Sequence, residues 1–163
     1  MSIGSLFRTQ WSLLLTGLLS CLSVMPALAQ AANFESLTLS ANFLPSDARV
    51  RGSTAGFFSL SNIVSRDRRG NLCLGFADST PDHILVLQQD FPSLTLQVDS
   101  GGNDTTLLVQ GPTDNAIRCG SITDRRNPDA RIQDINWPAG AYRIWVGTFN
   151  QGERLDYVLT VSE

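Results

Sequence analysis

Beyond residue 30 the apolar positions come in short runs, separated by clusters of Gly, Pro, Asn, Asp and Ser. Ser93–Asp99 (SLTLQVD) puts Leu94, Leu96 and Val98 on one face and Thr95, Gln97 and Asp99 on the other, the period-two pattern of a half-buried strand. Ser36–Ser40 (SLTLS) alternates in the same way, and Asn42–Ala48 is irregular around Pro45. Thr54–Val64 (TAGFFSLSNIV) and Asn71–Ala77 (NLCLGFA) read as strands on either side of a polar turn, Ser65–Gly70. His83–Gln88 (HILVLQ) is apolar on both faces, as a central strand is. Thr106–Gln110 and Ala116–Gly120 flank the turn Gly111–Asn115, which predicts a hairpin. Ser121–Ala130 reads as a long polar loop. Tyr142–Phe149 and Leu155–Val161 supply the last two strands, with Asn150-Gln151-Gly152 as their turn. Short strands with a turn signal about every ten residues predict one all-β domain, an antiparallel β-sandwich of jelly-roll type.

The N-terminal stretch follows different rules. Met1–Gln10 carries a single charge, Arg8, and Trp11–Val24 (WSLLLTGLLSCLSV) is almost wholly apolar before Ala27-Leu28-Ala29. That order predicts a bacterial-type signal peptide over residues 1–29, cut between Ala29 and Gln30, with the sandwich domain over residues 30–163. The apolar run is shorter than the roughly 20 residues a spanning helix needs, so a membrane is met only through an uncleaved signal. Leu18-Leu19-Ser20-Cys21 loosely resembles a lipid-attachment motif and gives Cys21 an alternative fate. The expected compartment is periplasmic or extracellular. Cleavage leaves Cys73 and Cys119, which an oxidising compartment is expected to pair. By chain entropy, closing the loop between them stabilises by at most about 4 kcal/mol.

Charge narrows the chemistry further. All 12 basic residues are Arg, which excludes a P-loop, a Schiff base and a lysine base. A net charge of −3 argues against nucleic acid as partner. His83 is the lone histidine and no G-x-S-x-G is present, so a serine triad lacks its parts. A hydrolytic pair among 12 Asp and three Glu stays open as a second alternative, but most lie in turns, where Asp bonds its own backbone. Calcium is the one cofactor with a candidate site: Asp99, Asn103 and Asp104 share a turn, and Asp124 stands in the long loop. Turn capping by the same carboxylates is the competing reading, and no EF-hand spacing occurs.

Two Asp-Arg-Arg runs flank the cysteines, Asp67-Arg68-Arg69 and Asp124-Arg125-Arg126. Antiparallel strands joined by the disulfide would bring both runs to one end of the sandwich. Arg66, Arg68, Arg69, Arg125 and Arg126 would then form a basic patch suited to an anionic partner, with Asp67 and Asp124 able to cross-pair. Trp137, before Pro138, is either a sugar-stacking platform or a lid on the core edge. Tyr142 and Trp145 fall on opposite faces of one strand, so at least one of them packs inside.

Three segments in order, Gly70–Phe76 (GNLCLGF), Asp99–Cys119 (DSGGNDTTLLVQGPTDNAIRC) and Gly140–Phe149 (GAYRIWVGTF), resemble the bacterial pre-peptidase C-terminal domain. The likeness covers roughly residues 54–163. It implies a β-sandwich without catalytic residues, of a kind that in some relatives binds calcium or extracellular polymers. Here Cys119 is followed by Gly120-Ser121-Ile122, where the family pattern has acids, which thins the carboxylates available to a cation. The expected function is a non-catalytic, exported or envelope-associated binding module for an extracellular polysaccharide or a secreted protein. The alternative is a stability module with calcium in its turns.

Overall fold

A computed structural model describes residues 31–113, 116–120, 122–124 and 127–163. The predicted signal peptide, its cleavage point, Cys21, Arg125 and Arg126 lie outside the described residues, as does the side chain of Asp124.

Two β-sheets face each other. The first holds β1 (Leu37–Leu39), β3 (Phe58–Ser59), β4 (Phe76–Ala77), β5 (His83–Leu87), β7 (Thr105–Gln110), β8 (Ile117–Gly120) and β11 (Gly140–Thr148). The second runs in the order β2 (Arg49–Ser53), β12 (Asp156–Ser162), β6 (Phe91–Asp99), β10 (Asn127–Trp137) and β9 (Ile122–Asp124). From β5 onward the chain passes from one sheet to the other at each connection, except within the β7–β8 and β9–β10 pairs. The molecule is an all-β sandwich. One pairing departs from the antiparallel expectation: β1 lies parallel to β5.

The alternating strands bury the side chains their pattern implies. Leu94, Leu96 and Val98 of β6 meet Leu107, Val109, Tyr142, Ile144 and Val146 from the first sheet, with Tyr157, Leu159 and Val161 of β12 beside them. Each such side chain, fully withdrawn from water, contributes about 1.5–3 kcal/mol. Strand β11 is buried on both faces, so Tyr142 and Trp145 are both inside, in separate clusters. The second cluster, on the outer face of the first sheet, joins Leu60, Cys73, Ala77, Leu108, Ile117 and Trp145.

That outer cluster corrects the expectation for Thr54–Val64 and Asn71–Ala77. Only Phe58–Ser59 and Phe76–Ala77 are strand, and Leu60–Asn62 forms a single 3-10 turn. Leu60, Ile63, Val64, Cys73 and Ala77 lie over the sheet face as a cover, and packing of that kind asks for no pleat, while Phe57, Leu72 and Leu74 stay exposed. The expected loop Ser121–Ala130 is corrected as well. Its described residues form β9 and the start of β10, an eleven-residue strand paired with β6 from Arg131 to Trp137. In β10 the inward positions read Ala130, Ile132 and Asp134, so a charged residue occupies a core-facing place and disguises the alternation. Strand β2 also escapes the pattern, since Val50 is its one buried side chain.

Candidate anion-binding cleft

The site begins with a turn. Asp67 accepts hydrogen bonds from the backbone N–H of Arg69 (2.8 Å) and of Asn71 (2.9 Å), and from the Asn71 side-chain amide (3.0 Å). Gly70 closes the turn at φ +85°, a conformation that suits glycine. Arg66 donates to the Gly70 carbonyl at 2.7 Å and so serves its own turn.

This turn is fastened along the outer edge of β8. Arg68 N–H donates to Ile117 O at 3.3 Å, and Cys119 N–H donates to Asp67 at 3.4 Å. The Cys73–Cys119 disulfide completes the clasp, with Cα atoms 5.2 Å apart. An edge strand that would otherwise present free backbone groups is thereby covered.

The clasp aims Arg68 and Arg69 at β10. Arg68 reaches Asp134 Oδ2 at 2.6 Å, Arg69 binds Oδ1, and Arg118 Nε donates to Oδ2 at 2.8 Å. Three guanidinium groups therefore share one carboxylate, an excess of two positive charges. Arg118 is 2% exposed, with its guanidinium 3.8 Å above the Trp137 ring. It also donates to the carbonyls of Ala116, Ile135 and Asn136. Burial disfavours a charged Asp134, but the Arg68 hydrogen bond, the Ile135 amide and the charges of Arg118 and Arg68 outweigh it. The carboxyl is held below its ordinary value. Burial, then the nearby Arg68 charge, lower Arg118 from its own ordinary value, against the pull of Asp134.

Beside this cluster opens a cleft of about 400 Å³. The Asp67–Asn71 turn and Arg118–Cys119 form one wall, and Arg131–Asp134 of β10 forms the other. Arg69 is half exposed at its mouth, and Arg131 is exposed on the strand side.

The sequence expectation gave Asp67 and Asp124 as acids able to cross-pair with the arginine turns; the side chain of Asp124 is outside the described residues, and Arg68 and Arg69 lie beside the disulfide. Their partner is Asp134, and Asp67 is consumed by its own turn. Arg118, Arg131 and Asp134 were missed. The available signal was an acid on the inward face of an alternating segment, which needs a buried cation, and an arginine between Ile117 and Cys119 in a hairpin strand. Trp137 is fully buried and donates its indole N–H to Asp134 O at 3.0 Å, so it is core and no platform.

The other candidates sit elsewhere. In the Asp99–Asp104 turn, Asp99 accepts Gly101 N–H at 3.2 Å and the Asn103 amide donates to Ser100 O. The carboxylate that organises this turn is Asp129 of β10, which accepts from Ser100 N–H at 2.9 Å and Gly102 N–H at 3.2 Å. Among the described residues no three His, Cys, Asp or Glu side chains are grouped as metal ligands. His83 is fully buried. Its Nδ1 donates to Glu35 O at 2.7 Å, which leaves Nε2 to accept the Tyr157 hydroxyl at 2.9 Å. Burial holds the imidazole below its ordinary value. The neighbouring Asp82 accepts Val146 N–H at 2.7 Å, and burial pushes it up to about 7.

No protein-family model matches the chain, and no curated protein does. Among solved structures it is similar to the pre-peptidase C-terminal domain of collagenase from Bacillus anthracis, with 11% identity and a TM-score of 0.44, over 78% of this chain and 94% of that one. It is also similar to PliG of Aeromonas hydrophila, a periplasmic inhibitor of g-type lysozyme, with 18% identity and a TM-score of 0.41, over 78% of this chain and 96% of that one.

Proposed function

We propose that the chain is an exported, non-catalytic binding module that takes an anionic partner in the cleft between the Asp67–Asn71 turn and β10. The observation that carries this reading is the convergence of Arg68, Arg69 and Arg118 on the single carboxylate of Asp134, with Arg131 on the facing wall. Guanidinium groups in excess of their internal counter-charge are suited to bidentate capture of a carboxylate or sulfate. Arg118 is fully engaged inside, so Arg69 and Arg131 are the groups that face a ligand. A disulfide at the base of the site suits a module working in an oxidising compartment. The engagement of both His83 nitrogens within the fold supports a structural role for the lone histidine.

The test is calorimetric titration with polygalacturonate and with polyglutamate at low and high salt. Binding of either polyanion that weakens as salt rises, and that disappears in the Arg69→Ser, Arg131→Ser double variant, is the expected result. Full binding by that variant would remove the cleft from consideration.

A further inference from the structure

Strand β10 has a second edge. Its inner neighbour β6 pairs with it from Arg131 to Trp137, but on the other side β9 reaches only Asn127–Ala130. Among the described residues no strand covers that side from Arg131 to Asp134, and this stretch is the wall of the cleft. Along a strand, alternate residues direct their N–H and C=O to the same edge. The Ile135 carbonyl points to the cleft side, where Arg68 takes it at 2.8 Å and Arg118 at 3.3 Å. The Arg131 carbonyl points the same way, since a Cβ placed on Gly120 would come within 2.5 Å of it. Gln133 lies between them in the same register, so its N–H and C=O also open into the cleft.

Building on the anionic reading above, we infer that the partner is an acidic polypeptide segment. It adds to β10 as a short extended strand, bonding the Gln133 backbone and setting acidic side chains against Arg69 and Arg131. Strand addition to an open edge gives affinity through the backbone and selectivity through side chains at alternate positions. The cleft offers both parts: a backbone edge left open at Gln133, and guanidinium groups beside it. Ile135, 53% exposed and on the same face of β10 as Arg131 and Gln133, gives an apolar contact to a partner residue lying over it. A polysaccharide is less well served, because none of the residues lining the cleft is aromatic and Trp137 is buried under Arg118.

The experiment titrates the disulfide-bonded protein with three probes: a capped extended peptide with Glu on both faces and one Val to lie over Ile135, the same peptide N-methylated at alternate amides, and an oligogalacturonate of equal charge. Amide hydrogen exchange at Gln133 is followed in parallel. The inference expects the plain peptide to bind about tenfold or more tightly than its methylated form, with slowed exchange at Gln133 on binding. Equal binding of the two peptides, unchanged exchange at Gln133, or tighter binding of the oligogalacturonate each overturns strand addition. Those outcomes leave the anionic cleft standing if the Arg69→Ser, Arg131→Ser variant still loses binding. If none of the probes binds, the inference and the reading it rests on fall together. The methylation sits on the ligand, so folding of the protein does not enter that comparison.

Discussion

Asp134 and Asp82 are both almost completely buried, at 5% and 3% exposure, and the fold treats them in opposite ways. Asp134 faces three guanidinium groups and is held below the ordinary carboxylate value. Asp82 has the Val146 N–H and the Asn33 side chain as its stabilisers, and burial carries it up to about 7. Burial alone therefore says little about the charge state of a group. What decides it is whether the elements around it deliver full opposite charges or only amide dipoles. The Asp134 site is an ion cluster with charge left over for a ligand. The Asp82 site, with His83 and Tyr157 beside it, is a hydrogen-bonded network in which burial favours the protonated carboxyl, and it fastens Asn33–Glu35 to the start of β5.

Replacing Asp134 with Ala breaks the comparison most severely. It leaves Arg118 buried with no counter-charge, and the expected loss is about 3–5 kcal/mol in urea unfolding. A loss below about 1 kcal/mol would mean that Arg118 finds water in the folded state. Removing the clasp with Cys73→Ser and Cys119→Ser comes next, at up to about 4 kcal/mol. The same change should raise the Asp134 pKa, read by carboxyl NMR titration, because the turn carrying Arg68 and Arg69 is then held to β8 by two long hydrogen bonds alone.

The pH dependence sharpens the contrast. Asp82 binds its proton more tightly folded than unfolded, so the stability linked to it is present at acid pH and is lost as pH rises from about 4 to about 7. Asp134 has the reverse sign: its contribution is present above the ordinary carboxylate value and is lost as pH falls through its lowered folded value. His83, lowered by burial, also loses stability on acidification, below its ordinary 6.5. Asp82→Asn keeps an oxygen acceptor for Val146 N–H and removes the charge. The variant should gain about 1–3 kcal/mol over the parent at pH 8 and nothing at pH 4. A gain that does not vary with pH would show that Asp82 is not the titrating group.

Smaller effects test the exposed rim. Arg69→Ser should cost no more than about 1 kcal/mol, since that guanidinium is half in water. It should weaken anion binding by far more than it lowers the melting temperature. The smallest expected effect concerns the Asp99–Asp104 turn, whose organising carboxylate, Asp129, is bonded to backbone N–H groups. Adding millimolar calcium after EDTA should leave the melting temperature unchanged. A rise of several degrees would place a cation there.

Much of the sandwich was legible before its structure. Strands β5, β6, β7, β8, β11 and β12 stand where alternation or two-sided hydrophobicity put them, and the hairpin around Gly111–Pro112 pairs as expected. What failed failed for identifiable reasons. Thr54–Val64 and Asn71–Ala77 share their composition with strands, but only part of it is buried: Leu60, Cys73 and Ala77 cover the sheet, while Phe57, Leu72 and Leu74 are exposed. The start of β10 looked like a loop because Asn127-Pro128-Asp129 is polar and its inward alternation ends on a charge. At the site, Arg68 and Arg69 were visible as a charged turn beside a cysteine, but their partner was not.

The sequence by itself determined the local periods, the positions of the turns and the two cysteines available for a clasp, since each depends on residues only a few places apart. The tertiary structure alone decided which charges meet. Arg69 and Asp134 stand 65 residues apart, and Arg118 and Asp134 stand 16 apart on strands of different sheets. Coulomb energy depends on distance in space and on the water excluded around the pair. Both quantities exist only once the sheets have packed and the disulfide has drawn the arginine turn against β8.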